Sequence, residues 1–206
     1  QDTSSAASDV YKRQVKKPHQ NDGGLKMLNG NIGKCVAKIS AVKEQFRYIK
    51  AKSLVFDDQE EVKKAYEKGK LNRNVIIVVR NQGPKANGMP ELHSLTPMLS
   101  NVQDLGFKVA LLTDGRMSGA SGKILAAIHV TPEAIDNGVI GKIEDDDEIE
   151  IDANNGKLNI LTDISKRKNS LLNDMKKNQS FGRNIFNTLR IHSQGSEEGG
   201  GIKLIN

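Results

Sequence analysis

Tryptophan is absent, and only three tyrosines and five phenylalanines occur in 206 residues. A core built from this chain is therefore aliphatic. There is one cysteine, Cys35. That excludes a disulfide within the chain and any cysteine-rich metal centre built from it alone, and it fits a cytoplasmic setting. Cys35 lies in an alternating apolar-polar stretch, where a lone thiol reads as a small core residue rather than a nucleophile or ligand. No apolar run approaches the roughly 20 residues of a membrane-spanning helix, and no signal peptide is visible. Charge of one sign is not strongly in excess: 31 basic residues face 25 acidic ones, a net charge of +6. The surplus sits mainly in the first fifty residues and in 166–190, without interleaved aromatics. The basic stripe expected of a nucleic-acid binder is missing.

What is present centres on residues 75–132. Two β-branched apolar runs, 75–79 and 109–113, read as strands buried on both faces. Each empties into a glycine-rich loop, 81–91 and 114–123. Between them Leu92, Leu95, Leu99, Val102 and Leu105 recur at helical spacing, which predicts an amphipathic helix over 92–105. Both loops then lie at the carboxyl ends of neighbouring strands, where open α/β sheets place their sites.

The flanks are simpler. Residues 1–22 are polar and aperiodic, and read as a disordered or foreign segment. Residues 23–31 read as a turn-laden loop, 32–41 and 49–56 as strands. A helix opens at Asp57–Glu60 with acidic residues first and lysines later, matching the helix dipole. Residues 126–131 read as a strand, and Thr131-Pro-Glu-Ala as a helical turn with Pro at its first position. The alternating runs 141–152 and 156–162, joined by Ala153-Asn-Asn-Gly156, predict a hairpin whose carboxylates face water. Residues 165–178 and 183–190 read as surface helices, and 193–206 as a flexible tail. One domain, 23–192, is expected, with about seven to eight strands and four helices.

Residues 114–123 hold three glycines among Arg116, Ser118, Ser121 and Lys123. Glycines let backbone amides turn toward an anion, and a helix starting near Lys123 would add its positive end. The alternative is an ordinary glycine-rich strand-to-helix turn. It is not a P-loop, because Ile124 follows the lysine. Ser118 is a candidate nucleophile or base, and needs a His, a Lys or a metal to lose its proton. His129 and His93 are the local histidines, with His129 reading more simply as structural. Glu91, held by Pro90 after Gly88, is a candidate ligand for a hard metal ion.

RNQGPKANGMPELHSLTP (80–97), GFKVALLTDGRMSGASGK (106–123), AAIHVTPEA (126–134) and IEDDDEIEID (143–152) together closely resemble the C-terminal part of the dihydroxy-acid/6-phosphogluconate dehydratase family. The likeness runs from about Gly23 to the C-terminus. The forms QGPKANGMPELH and GRMSGASGK favour the 6-phosphogluconate members over dihydroxy-acid or other sugar-acid dehydratases.

The resemblance implies an α/β fold of the swivelling β/β/α type, a mixed and partly barrel-like sheet with flanking helices. It implies dehydration of 6-phospho-D-gluconate to 2-dehydro-3-deoxy-6-phospho-D-gluconate in the Entner–Doudoroff pathway. An iron–sulfur cluster and Mg²⁺ are the implied cofactors. Ser118 is the implied base for the C2 proton and Glu91 an implied Mg²⁺ ligand. Arg116, Ser121, Lys123 and Lys85 are the expected substrate-binding residues. Partners expected are the substrate, an N-terminal domain carrying the cluster ligands and, in a full-length enzyme, a second copy. Neither nucleic acid nor a membrane is expected as a partner. On this reading the chain is a C-terminal fragment, inactive alone. Two positions depart from the family pattern: Asp146 and Asn137 stand where glycines are usual. A non-catalytic domain that binds sugar phosphates is the alternative from another functional class.

Overall fold

A computed structural model describes residues 17, 23–117, 123–169 and 186–203. Eight strands are found among them: β1 (Leu25–Asn29), β2 (Lys34–Lys38), β3 (Tyr48–Phe56), β4 (Val75–Val79), β5 (Val109–Thr113), β6 (Leu125–Thr131), β7 (Glu148–Asp152) and β8 (Lys157–Ile160). They close into a barrel in the order β1-β2-β6-β5-β4-β3-β7-β8. The stretch β3-β4-β5-β6 is parallel, and β1-β2, β2-β6, β3-β7 and β7-β8 are antiparallel. A single parallel pair, Asn29 with Lys157, completes the circle. The sheet is thus mixed, as expected, and fully closed.

Burial on both faces explains the two apolar runs. Every residue of β4 and β5 is buried. Ile76 and Val78 point into the barrel with Ala110, Leu112, Leu125 and Ala127. Val75, Ile77 and Val79 point outward, with Val109 and Leu111. There they meet α1 (Gln59–Glu67) and α3 (Leu95–Asp104) through Val62, Ala65, Leu95, Leu99 and Val102. Each such side chain contributes about 1.5–3 kcal/mol by leaving water. Two short helices, α2 (Pro84–Asn87) and α4 (Asn187–Ile191), lie against each other. As the charge order predicts, α1 opens on an acidic cap: the Asp58 carboxylate accepts the Glu60 N–H at 2.7 Å.

Several expectations need correction. Residues 23–31 contain β1, a strand in which only Leu28 is buried, so apolar patterning gave no sign of it. The predicted turn after Thr131 is displaced. Thr131 ends β6, the Thr131–Pro132 bond is cis, and the 3₁₀ turn covers Ala134–Asp136. Among the described residues no helix starts near Lys123, because β6 begins at Leu125. Residues 165–169 are not helical, and 170–185 lie outside the described residues. In the acidic hairpin Glu148 faces water while Ile149 and Ile151 are buried. Asp147, however, is buried and bidentate to the Arg167 guanidinium at 2.5 and 2.9 Å. The expected tail, described to Lys203, is bridged on itself between Ser193 and Ile202 and reaches the barrel through a Glu197–Lys34 ion pair. Asn137 and Asp146 both adopt left-handed backbone, φ 61° and 67°, which is the physical reason glycine suits these positions.

Candidate active site

The parallel register of β4 and β5, from Val75–Val109 to Val79–Thr113, delivers the two glycine-rich loops side by side. Asp114 follows β5 immediately and is fully buried. Its carboxylate accepts the backbone N–H groups of Asn81 (3.1 Å), Gln82 (2.8 Å) and Ala134 (3.1 Å). One side chain thereby joins the loops after β4, β5 and β6. Burial pushes the Asp114 carboxyl up, and these amide donors pull it back. The next residue is Gly115 because the loops touch: a Cβ there would lie 2.6 Å from the Gln82 Cβ.

Beyond Gly115 the second loop pairs with the first. Arg116 and Glu91 form a parallel backbone bridge, and the Leu92 N–H donates to the Arg116 carbonyl at 3.1 Å. The Arg116 Nε donates to the Met89 carbonyl at 2.9 Å, and its Nη1 lies 3.6 Å from the Glu91 carboxylate. This pairing also explains why α3 starts at Leu95 and not at Leu92. The Glu91 side chain is 32 % exposed and accessible to a ligand.

His129 sits on β6 behind this junction, at an irregularity in the β2–β6 register. Its φ is 57°, and its N–H donates to the Gly115 carbonyl at 2.9 Å. Burial, then the Arg116 charge, hold its imidazole below the usual histidine range. His93 is exposed on the surface before α3.

On the far side of the first loop, Lys85 is tied to Asp136 at 2.7 Å, with the Asp136 interaction raising its ammonium pKa. Its backbone N–H donates to Glu133 at 3.2 Å. Glu133 is about 1 % exposed, and burial together with the Asp114 charge pushes its carboxyl up to about 7. Gly83 lies against this carboxyl: a Cβ at Gly83 would be 2.2 Å from the Glu133 Oε2. Lys123 is exposed just before β6. Ser118 and Ser121 lie outside the described residues.

Of the expected site residues, the structure brings Glu91 and Arg116 together and places Lys85 at the other end of the Glu91 loop. Asp114 and Glu133 were not anticipated. A carboxylate directly after a doubly buried strand was the available signal for Asp114.

Residues 11–200 match the family model described as dihydroxy-acid/6-phosphogluconate dehydratase C-terminal. The chain belongs to the dihydroxy-acid/6-phosphogluconate dehydratase family.

Within that family, the phosphogluconate dehydratase of Rhizobium meliloti (strain 1021) is 51 % identical over 191 residues, covering 91 % of this chain and 32 % of the relative. That of Zymomonas mobilis is 54 % identical over 153 residues, 74 % of this chain and 25 % of the relative. The dihydroxy-acid dehydratase of Campylobacter lari is 41 % identical over 162 residues, 76 % and 28 % respectively. The chain spans about a third of the length of the curated phosphogluconate dehydratases that it matches over nine-tenths of its own.

The implied cofactors fit this chain unequally. Mg²⁺ prefers carboxylate oxygens in an octahedral shell. Glu91 offers one such oxygen donor in an accessible place. Among the described residues no group of three or more His, Cys, Asp or Glu side chains gathers to complete a site. Glu91 therefore fits as a single ligand. An iron–sulfur cluster needs several thiolates. Cys35 is the chain's one cysteine, and burial pushes its thiol up to about 12. The residues of this chain do not fit a cluster.

Proposed function

We propose that this chain is the C-terminal, base-bearing part of a hydro-lyase that dehydrates 6-phospho-D-gluconate to 2-dehydro-3-deoxy-6-phospho-D-gluconate, a step of the Entner–Doudoroff pathway in the cytoplasm. The observation that carries the reading is the Glu91–Arg116 bridge, which joins the GMPE loop to the loop after β5, two residues before Ser118. In this reading Ser118, as its alkoxide, takes the proton from C2, the C3 hydroxyl takes up a proton and leaves as water, and the resulting enol tautomerises to the 2-keto acid. Glu91 would be one carboxylate ligand of a Mg²⁺, which when bound would supply positive charge for the anionic substrate. Arg116, Lys123, Ser121 and Lys85 are assigned to the anionic substrate. Arg116 suits this best, because its Nε anchor on Met89 fixes the guanidinium at the junction. Lys85 would have to exchange Asp136 for the substrate.

The cluster ligands and the remaining Mg²⁺ ligands belong, in this proposal, to an N-terminal domain, and the working enzyme is a homodimer. The 206-residue chain alone is then inactive. Purified and supplied with Mg²⁺ and 6-phosphogluconate, it should release no 2-keto-3-deoxy product; turnover would overturn the division of labour. A full-length enzyme given a panel of sugar acids and dihydroxy acids should prefer 6-phosphogluconate. Preference for a dihydroxy acid would move the assignment to the other branch of the family.

A further inference from the structure

We propose that Asp114 and Glu133 are a positioning pair for this site: two buried carboxyls that hold the 81–85 turn against the ends of β5 and β6, and so fix Glu91 beside Arg116. What is positioned rests on the proposed function; the carboxyl pair itself does not.

The two members divide the work. Asp114 takes three backbone N–H groups and holds Asn81, Gln82 and Ala134. Glu133 continues the same turn, with its Oε2 on the Lys85 N–H and the side-chain-free Gly83 packed against it. The turn between them leads directly into α2 and then to Glu91.

Their ionisation states differ for geometric reasons. Burial disfavours the charged form of Asp114, and three backbone N–H donors favour it. Glu133 has one N–H on Oε2, and its other oxygen, Oε1, is buried with no hydrogen-bond partner. The charges facing it are Asp114 from the end of β5, Asp136 from its own turn, and the Lys85 ammonium from α2, which Asp136 already holds. Two like charges sharing one turn oppose each other, so the neutral carboxyl is the form compatible with the closed arrangement. Burial and Asp114 accordingly bring its titration up to about 7. When Glu133 ionises, the added charge faces Asp114, and the Lys85 end of the turn loosens. Substrate would then meet a wider, less ordered loop.

Amide hydrogen exchange on the 206-residue chain tests the pair without any activity. A group titrating near 7 falls about tenfold in its protonated fraction between pH 6 and pH 8. Protection of the Lys85 amide, corrected for intrinsic exchange, should fall by about that factor in the wild-type chain. Glu133→Gln should remove this pH dependence. Asp114→Asn should lower protection of the Asn81, Gln82 and Ala134 amides at both pH values, leaving Ile77 in β4 protected. In a full-length enzyme, Glu133→Gln should remove about a tenfold component from the pH 8 to pH 6 ratio of KM for 6-phosphogluconate. A Lys85 amide whose protection ignores pH in the wild-type chain overturns the proposal, and that measurement needs no variant to fold. Correct exchange behaviour in a full-length enzyme that does not dehydrate the sugar acid would instead sink the functional reading and leave the pair standing.

Discussion

Glu91 and Arg116 face each other across a parallel backbone bridge, with Nη1 of the arginine 3.6 Å from the glutamate carboxylate. The pair sits where two loops from adjacent parallel strands meet, and both side chains remain partly exposed. Glu91→Gln in a full-length enzyme should raise the Mg²⁺ concentration needed for half-maximal activity about tenfold or more. Stability should change by less than about 0.5 kcal/mol, as for other surface substitutions. Arg116→Ala should raise KM for the phosphorylated substrate about tenfold or more, since a charge-assisted hydrogen bond is worth about 1.5–3 kcal/mol. Metal titration and denaturant melts read these effects separately. An unchanged metal requirement in Glu91→Gln would remove Glu91 from the site.

Cys35 should be chemically silent in the folded chain. It is 2 % exposed, and burial pushes its thiol up to about 12, so almost no thiolate exists at neutral pH. Labelling by a disulfide reagent should proceed only through opening of the barrel and should accelerate in denaturant. Fast labelling under native conditions would contradict the placement of Cys35 in the barrel interior.

Asp146 occupies left-handed backbone at φ 67°, and its carboxylate makes exposed ion pairs to Lys52 and Arg73. Such surface pairs contribute about 0–1 kcal/mol. Asp146→Gly relieves the conformation and should leave stability unchanged or raise it by up to about 1 kcal/mol. Asp146→Ala keeps a Cβ, loses the local polar side chain, and should lower stability by about 1 kcal/mol. Thermal melts of the two variants should therefore separate, with glycine above alanine.

Glu133 makes stability depend on pH with a definite sign. Its folded value of about 7 lies above the ordinary value of 4.5, so the folded chain binds a proton that the unfolded chain has released between these two pH values. Stability from this group is full below about pH 4.5 and is lost as pH rises to about 7. The shift corresponds to about 3 kcal/mol at most. Denaturant unfolding of wild-type chain and Glu133→Gln between pH 5 and pH 8 should diverge, with only the wild type weakening. Parallel curves would mean that Glu133 is ionised throughout.

Much of the framework was legible because β4 and β5 are buried on both faces, and such strands announce themselves as uninterrupted aliphatic runs. The α1 boundary was legible too, since Asp58 and the acids after it obey helix electrostatics. β1 was not, because only Leu28 in it turns inward and the rest of its pairing is paid back in backbone hydrogen bonds that leave no side-chain pattern. The two loops of the site could be read from glycine content and resemblance, but not their contact. Asp114 and Glu133 escaped notice because a buried carboxylate looks in sequence like any exposed one; only folding brings the three amides to Asp114. The helix expected at Lys123 failed for a related reason. The stretch after Gly122 feeds a parallel neighbour, β6, and its apolar residues are claimed by the sheet.

The central claim is that the loop after β5 carries the base of a hydro-lyase. It is tested most directly by Ser118→Ala in a full-length enzyme, with turnover of 6-phosphogluconate and its binding measured side by side. The account predicts loss of turnover by about 10³-fold or more, in the range of general-base and nucleophile removals, with substrate binding retained within a few-fold. Turnover close to that of the unaltered enzyme would contradict it.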